Sequence, residues 1–261
     1  MKEILPSLLS PLEPKDHKYS HGVGLIIGSK IMSGAARLAG HAARRCELGH
    51  LTYAVPDDAT DIYSLHQPGA IVVSWPDVPQ RLRDPRLDAV LIGPGLGLGA
   101  TESRLLSLCL ASNKALVLDA DALTLLVRDN LLPMLENRCA PSILTPHAGE
   151  WERLQDGQQE SEWCRQLGVT LIRKNATTTI YDPGGREAQS EPGTATLATM
   201  GTGDVLAGMV MALLARGLTP FTAAQTAVWL HNRAAIACGR GLIAEDLPDK
   251  IPALYTALPS C

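Results

Sequence analysis

Short apolar runs closed by glycine or proline recur along the first two thirds of the chain, and stretches with helical spacing separate most of them. "VGLIIGS" (23–29) is a run of β-type residues ending in Gly28-Ser29, and an alanine-rich stretch follows from Ser33 to Leu48. This pattern predicts a strand, a glycine turn and a helix. It repeats: "LTYAV" (51–55), "AIVVS" (70–74), "DAVLIGPGLG" (88–97), "ALVLDADAL" (115–123), "SILTPHAGE" (142–150), "VTLIRK" (169–174) and "TTTIYD" (177–182) read as strands. Helices are expected over 101–112, 121–128, 149–155 and 160–168. Parallel strands need crossover connections, so strands alternating with helices predict a mostly parallel sheet covered on both faces, an α/β fold. From Gly203 the pattern changes to apolar helix through 216, a second helix over about 220–238, and a third near the C-terminus. There is no internal repeat.

A chain of 261 residues with 46% hydrophobic content can bury one large core, and a single domain over 1–261 is expected. The formal charge of -4, without a basic cluster to follow phosphates, points away from nucleic acid and towards a small-molecule protein. The six cysteines, Cys46, Cys109, Cys139, Cys164, Cys238 and Cys261, lack C-x-x-C spacing, and most sit in apolar stretches as small hydrophobes. That usage suits a reducing cytoplasm. The leader "MKEILPSLLSPLEPKDHKYSHG" carries prolines and charges where a signal peptide needs an apolar run, and nowhere do ~18 apolar residues follow one another, so no membrane span is expected.

Ligands of open parallel sheets bind beyond the carboxyl ends of the strands. Four such ends carry glycine or polar residues: Gly28-Ser29, "GPGLG" (93–97), "DADAL" (119–123) and "TPHAGE" (145–150). The strongest chemical signal lies later. Gly201-Thr202-Gly203-Asp204 opens an apolar helix, so free N–H groups and the positive end of the helix dipole form an anion hole. Asp204 could take the proton of a hydroxyl attacking phosphorus, or it could simply cap the helix. Asp119 and Asp121 could hold Mg²⁺ through water or cap the following helix, with capping the expected role of Asp121. His147 could hydrogen-bond a ligand, and Glu150 could steer a metal, through water if not directly. Lys174, ending a strand, could reach a nucleotide phosphate as a point charge. No Walker A sequence is present, so any nucleotide must be held by another architecture.

The order of "HKYSHGVGLIIGS", "SGAARLAG", "IGPGLG", "DADAL", "LTPHAGEWERL", "KNATTTI", "LATMGTGDVLAGMVMALLARG" and "GLIAEDLPDKIP" resembles the ADP/ATP-dependent NAD(P)H-hydrate dehydratase family from about residue 15 to 255. The resemblance implies a ribokinase-like three-layer α/β/α sandwich. It implies repair of the 6-hydroxy forms NADHX and NADPHX, the (6S) epimers being restored to NADH and NADPH at the expense of ADP in most bacterial members, or of ATP, with Mg²⁺. In this chemistry the ring hydroxyl is phosphorylated and the ring nitrogen then expels phosphate. Asp204 would be the base, and Gly201, Thr202 and Gly203 would hold the developing charge. The hydrate-contacting positions correspond to Ala35, Gly97, His147 and Asp204, and the nucleotide positions to Lys174, Asn175, Ala176, Thr177 and Thr178 with Gly203. A homotetramer is also implied, as is pairing with a separate NAD(P)H-hydrate epimerase, because Met1 lies close to the first motif.

Three departures from the family pattern carry expectations. Asn175 replaces a glycine after the lysine and would have to tolerate its turn. Thr194-Ala195 replaces Asn-Pro, and Met200, standing where a small residue is usual, is expected to narrow the anion hole. The rival readings are a hydroxyethylthiazole or hydroxymethylpyrimidine kinase of the same superfamily, and a degenerate nucleotide binder without turnover.

Overall fold

In the computed structural model, which describes residues 19–256, the predicted alternation is realised. Val23–Ile27 (β1) leads through the Gly28-Ser29 turn to Ser33–Arg45 (α1) and His50–Val55 (β2). Thr60–His66 (α2), Ile71–Ser74 (β3), Val78–Arg83 (α3), Ala89–Ile92 (β4), Ala100–Leu110 (α4) and Ala115–Leu118 (β5) continue the pattern. Asp121–Arg128 (α5), Pro133–Glu136 (α6), Ser142–Leu144 (β6), Ala148–Leu154 (α7), Glu160–Leu167 (α8) and Thr170–Arg173 (β7) complete the crossovers. Thr179–Tyr181 (β8) and Glu187–Gln189 (β9) follow, and then three helices: Thr202–Ala215 (α9), Pro220–Cys238 (α10) and Asp246–Thr256 (α11).

The strands form one sheet in the order β3-β2-β1-β4-β5-β6-β7-β8-β9. All pairs from β3 to β7 are parallel, whereas β7–β8 and β8–β9 are antiparallel. The reason is length: the connections flanking β8 are too short to cross back over the sheet, so the chain can only reverse. β9 has no apolar run to announce it, being an edge strand with exposed Glu187 and Gln189. The short helices α2, α3 and α6 also lie outside the predicted set, and "ALVLDADAL" stops being a strand at Leu118, where its acidic residues begin.

Alternate strand residues enter two separate cores. Ile26, Tyr53, Leu91, Val117 and Ile172 pack under α1, α9, α10 and α11, while Leu25, Ile27, Ile92, Leu118 and Leu171 pack under α3, α4, α5, α7 and α8. Burial on both faces is why the strands read as continuous apolar runs rather than alternating ones. Cys46, Cys109 and Cys164 are buried and unbridged, as expected of small hydrophobes, whereas Cys139 is exposed; Cys261 and the leader up to residue 18 lie outside the described residues. Among the described residues no helix is long and apolar enough to cross a membrane.

One helix pair matters for the site. α1 buries only small residues, Ala36, Ala39, Gly40, Ala42 and Ala43, and against them lies Gly208 of α9. A β-carbon at Gly208 would stand 2.0 Å from the Ala39 carbonyl oxygen, so the two backbones meet closely only because position 208 has no side chain. This contact brings the start of α9 beside the start of α1. Leu38 consequently lies against Gly201, its Cδ1 2.7 Å from where a β-carbon would stand there.

Candidate active site

The site is assembled at the carboxyl edge of the parallel sheet, where β4, β5, β6 and β7 end beside the start of α9. Gly201, at φ +90, turns the chain into α9, and no side chain caps that helix. The Thr202 N–H donates back to the Thr199 carbonyl at 3.4 Å, whereas those of Gly203 and Asp204 lack a carbonyl of a preceding turn and remain open to a ligand. Asp204 is the acidic residue of this first turn, where it meets the positive end of the helix dipole, but it makes no side-chain cap bond, and the N-cap position belongs to Gly201. Thr202 secures the turn from behind, its hydroxyl donating to the carbonyls of Leu197 (2.8 Å) and Thr199 (3.0 Å).

Asp204 is a carboxylate crowded by like charge. Burial, with the Asp119 carboxylate next in effect and Asp121 adding to it, pushes its pKa up to about 7 against the opposing pull of Lys174. A carboxylate poised near neutrality can accept a proton and return it, the property a general base needs.

Lys174 follows β7 and is drawn into the ladder next to His147: its N–H donates to the Pro146 carbonyl at 2.9 Å, and His147 and Lys174 form a parallel bridge. Its ammonium pairs with Asp119 at 2.8 Å, where Asp119 is 2% exposed, and it stands 3.4 Å from the place a Gly203 β-carbon would take. The lysine thus flanks the open N–H groups of α9. The sequence leaves Asp119 between metal ligand and cap; the structure makes it the anchor of Lys174. Ala120 gives the turn its shape, with φ 48 in the left-handed region that a β-carbon disfavours, a local cost of the kind found at functional turns.

The expectation for Asp121 is corrected. It does not cap α5, whose N-cap is Ala120, but accepts the Gly97 N–H at 2.8 Å. This bond ties the "GPGLG" turn to the end of β5, with Gly97 itself at φ +97. Ala35 faces the same turn, its Cβ 3.1 Å from where a Gly95 β-carbon would stand. Ala35, Gly97, Lys174 and Asp204 therefore lie on connected turns of one edge.

His147 caps α7. Its Nδ1 accepts the N–H groups of Gly149 (3.0 Å) and Glu150 (3.3 Å), which leaves the hydrogen of the neutral ring on Nε2. With 58% of its side chain exposed, that Nε2 is available to a ligand. Glu150 completes the capping box: one oxygen accepts the His147 N–H at 2.8 Å and the other lies 3.4 Å from Nε2. One carboxylate oxygen is thus committed to the His147 backbone, and the other is not hydrogen-bonded to it. Among the described residues no three acidic, histidine or cysteine side chains cluster to hold an ion. The donor set fits a hard cation that arrives on phosphate oxygens, as Mg²⁺ commonly does, and not a cage built by the chain.

Asn175, Ala176, Thr177 and Thr178 link β7 to β8. They are pinned from one side: the Thr178 N–H donates to Ser190 Oγ at 3.1 Å, and the Gly193 N–H donates to the Ala176 carbonyl at 2.9 Å. Asn175 has no positive φ, so the turn makes no demand here that only glycine could meet. Met200 is not packed against the chain. It is 93% exposed. Where Asn-Pro is usual in the family, Thr194 precedes a single 3₁₀ turn, Ala195–Leu197, that delivers the chain to Thr199 and Gly201.

The model of the family described as NAD(P)H-hydrate dehydratase matches residues 23–252. The chain is 38% identical over 228 residues to the bifunctional NAD(P)H-hydrate repair enzyme of Mycobacterium leprae, a match covering 84% of this chain and 46% of that protein. It spans about half the length of the bifunctional relatives it matches. With the ADP-dependent (S)-NAD(P)H-hydrate dehydratase of Listeria monocytogenes it shares 30% identity over 246 residues, 89% of this chain and 87% of that one. The crystal structure of the ADP/ATP-dependent NAD(P)H-hydrate dehydratase of Bacillus subtilis, co-crystallized with ATP/Mg²⁺, superposes with a TM-score of 0.84 at 28% identity, over 99% of this chain and 98% of that chain. The sandwich is the ribokinase-like one that the motif order implied. On both its sequence and its fold, the chain belongs to the NAD(P)H-hydrate dehydratase family.

Proposed function

We propose that this chain converts (6S)-NADHX and NADPHX back to NADH and NADPH, with ADP as phosphoryl donor and ATP as the alternative. The observation that carries the reading is a near-neutral carboxylate, Asp204, beside the open N-terminus of α9 and the Lys174 ammonium. Asp204 takes the proton of the ring hydroxyl as its oxygen attacks the terminal phosphorus of the nucleotide, and AMP (or ADP) leaves. The Gly203 and Asp204 N–H groups and Lys174 stabilise charge on the transferred phosphoryl, a term of large weight in such reactions. The ring nitrogen then pushes out phosphate, breaking the C–O bond to leave a ring iminium, and the adjacent ring carbon gives up a proton to the released phosphate or to water as the ring carbon–carbon double bond forms. Ala35, Gly97 and His147 would contact the hydrate, and Lys174 to Thr178 the nucleotide. Mg²⁺, when bound, neutralises phosphate charge; Glu150 is the residue that could meet it through water.

Free thiols buried as hydrophobes suit cytoplasmic residence, and the bifunctional relatives suit a functional pairing with a separate NAD(P)H-hydrate epimerase. Assembly as a homotetramer is part of the same reading.

The direct test mixes the protein with freshly prepared NADHX and Mg²⁺, adds ADP or ATP, and follows the return of reduced-nicotinamide absorbance. Recovery with one nucleotide supports the repair activity and identifies the donor; nucleotide binding without recovery overturns the reading in favour of a different kinase or a binder. The pH profile is a second check. A base must be deprotonated, so kcat/KM should rise with pH through about 7 and level above it. Asp119→Asn removes the neighbouring negative charge and releases Lys174 towards Asp204, so the acid limb should move to lower pH. A limb that stays in place would separate Asp119 from the ionisation of Asp204.

A further inference from the structure

His231 is the one histidine on α10, a helix whose buried face is otherwise built mainly of alanine and aliphatic side chains such as Ala227, Leu230, Ala234 and Ala235. It is 7% exposed, and its Nε2 lies 2.9 Å from the carbonyl oxygen of Thr202. A carbonyl only accepts, so Nε2 carries the hydrogen and donates it. Burial lowers the imidazole pKa to about 4, in keeping with a neutral ring at working pH. An apolar residue would fill the same space without a polar group to satisfy. The geometry gives a reason for the imidazole.

Thr202 is the first residue of α9, and its carbonyl also accepts the N–H four residues on, as in any helix. His231 occupies the remaining lone pair. The peptide unit is rigid and trans, so the plane that carries the Thr202 oxygen on one side carries the Gly203 N–H on the other. Holding the oxygen towards α10 fixes that N–H at the open helix start, on a residue whose β-carbon position lies 3.4 Å from the Lys174 ammonium. The Thr202 hydroxyl bonds Leu197 and Thr199 and so fixes the side chain, while His231, together with the helix bond, holds the peptide plane.

We infer that His231 is a positioning residue for phosphoryl transfer: its Nε2–H locks the Thr202–Gly203 peptide so that the Gly203 N–H is aimed at the transferred phosphoryl group. The inference rests on the proposed function, and its test separates the two. Three variants are compared, His231→Leu, His231→Gln and His231→Asn. Gln carries an N–H donor at about the reach of Nε2, Asn falls one carbon short, and Leu has none. Removing an anion-hole donor outright typically costs ~10²–10³-fold, so misaiming one should lower kcat by roughly 10- to 100-fold in the Leu and Asn variants. The nucleotide KM should change by less than about threefold, because the loss falls on the transition state, and Gln should recover most of kcat.

A second readout needs no turnover. In ¹⁵N-labelled protein the Gly203 amide proton should shift downfield on addition of ADP, a shift that the Gln variant keeps and the Leu and Asn variants lose. Equal kcat in all three variants, a loss confined to KM, or an ADP-induced Gly203 shift that is absent in wild type or unaffected by Leu and Asn would overturn the inference. Should the His231→Leu protein fail to fold, the Gln-against-Asn contrast decides. Should wild type leave NADHX unrepaired, the proposed function fails while the amide shifts still judge His231.

Discussion

Asp204→Asn is expected to retain nucleotide binding and to lose roughly 10²–10⁴-fold in turnover, the usual contribution of a base acting in the transition state. Asn is nearly isosteric and leaves the α9 turn intact, so the loss would belong to proton transfer. The same substitution has a second, opposite consequence. The folded-state pKa of Asp204 is raised to about 7 from an ordinary value near 3.8, so between those limits the native state holds a proton that the unfolded chain has released. Stability therefore falls as pH rises through that window, and above it the folded protein carries an unfavourably buried charge. Removing the charge should raise Tm at pH 8 and change it little at pH 4. A variant that is both inactive and more heat-stable at pH 8 would mark a carboxylate retained for chemistry. Near wild-type turnover would remove Asp204 from the role of base, and an unchanged Tm at pH 8 would contradict its buried ionisation.

Gly208→Ala should be the most damaging of the small substitutions outside the reacting groups. Its new β-carbon would stand 2.0 Å from the Ala39 carbonyl oxygen, and the obstruction is backbone, which cannot rotate aside. Overpacking of this kind costs ~1–3 kcal/mol or more, equivalent to roughly 2–10 °C in Tm for a domain of this size. The effect should not stop at stability. Moving α1 away from α9 also moves Ala35 and Leu38 relative to the Gly201 turn, so turnover should fall at temperatures where the variant is still folded. Gly34→Ala serves as the control, because nothing lies within 4 Å of its β-carbon position. It should melt at or slightly above the wild-type temperature, since alanine restricts the unfolded chain. Equal melting of the two variants would mean that the helices do not meet at Gly208.

The departures from the family pattern divide along the same physical line. Asn175 and Met200 suggest damage when their residue types are judged by position alone. The backbone at Asn175 has no positive φ, so glycine is not required there, and Met200 is exposed rather than packed against the chain. Asp121 misleads for a related reason. A carboxylate at a helix start is usually a cap, and only the neighbouring turn after β4, which lies 24 residues away in the chain, reveals Gly97 as its partner.

The strands were legible because burial on both faces demands unbroken apolar runs, and the crossovers because helical spacing is local. The glycine turn proposed as an anion hole was legible for the same reason: glycine, threonine, glycine and aspartate adjoin in the chain, and the helix they open begins there. What the sequence by itself determined, then, was the order of strands and helices, the motif set and the candidate base. The antiparallel edge strand β9 escaped, since Glu187 and Gln189 face water and carry no apolar signature. The pairing of Asp119 with Lys174, separated by 55 residues, the shift of the Asp204 carboxyl and the bond from His231 to Thr202, 29 residues apart, were decided only by the tertiary structure. Each depends on the distance and desolvation of groups from different elements, quantities that have no value until the chain has folded.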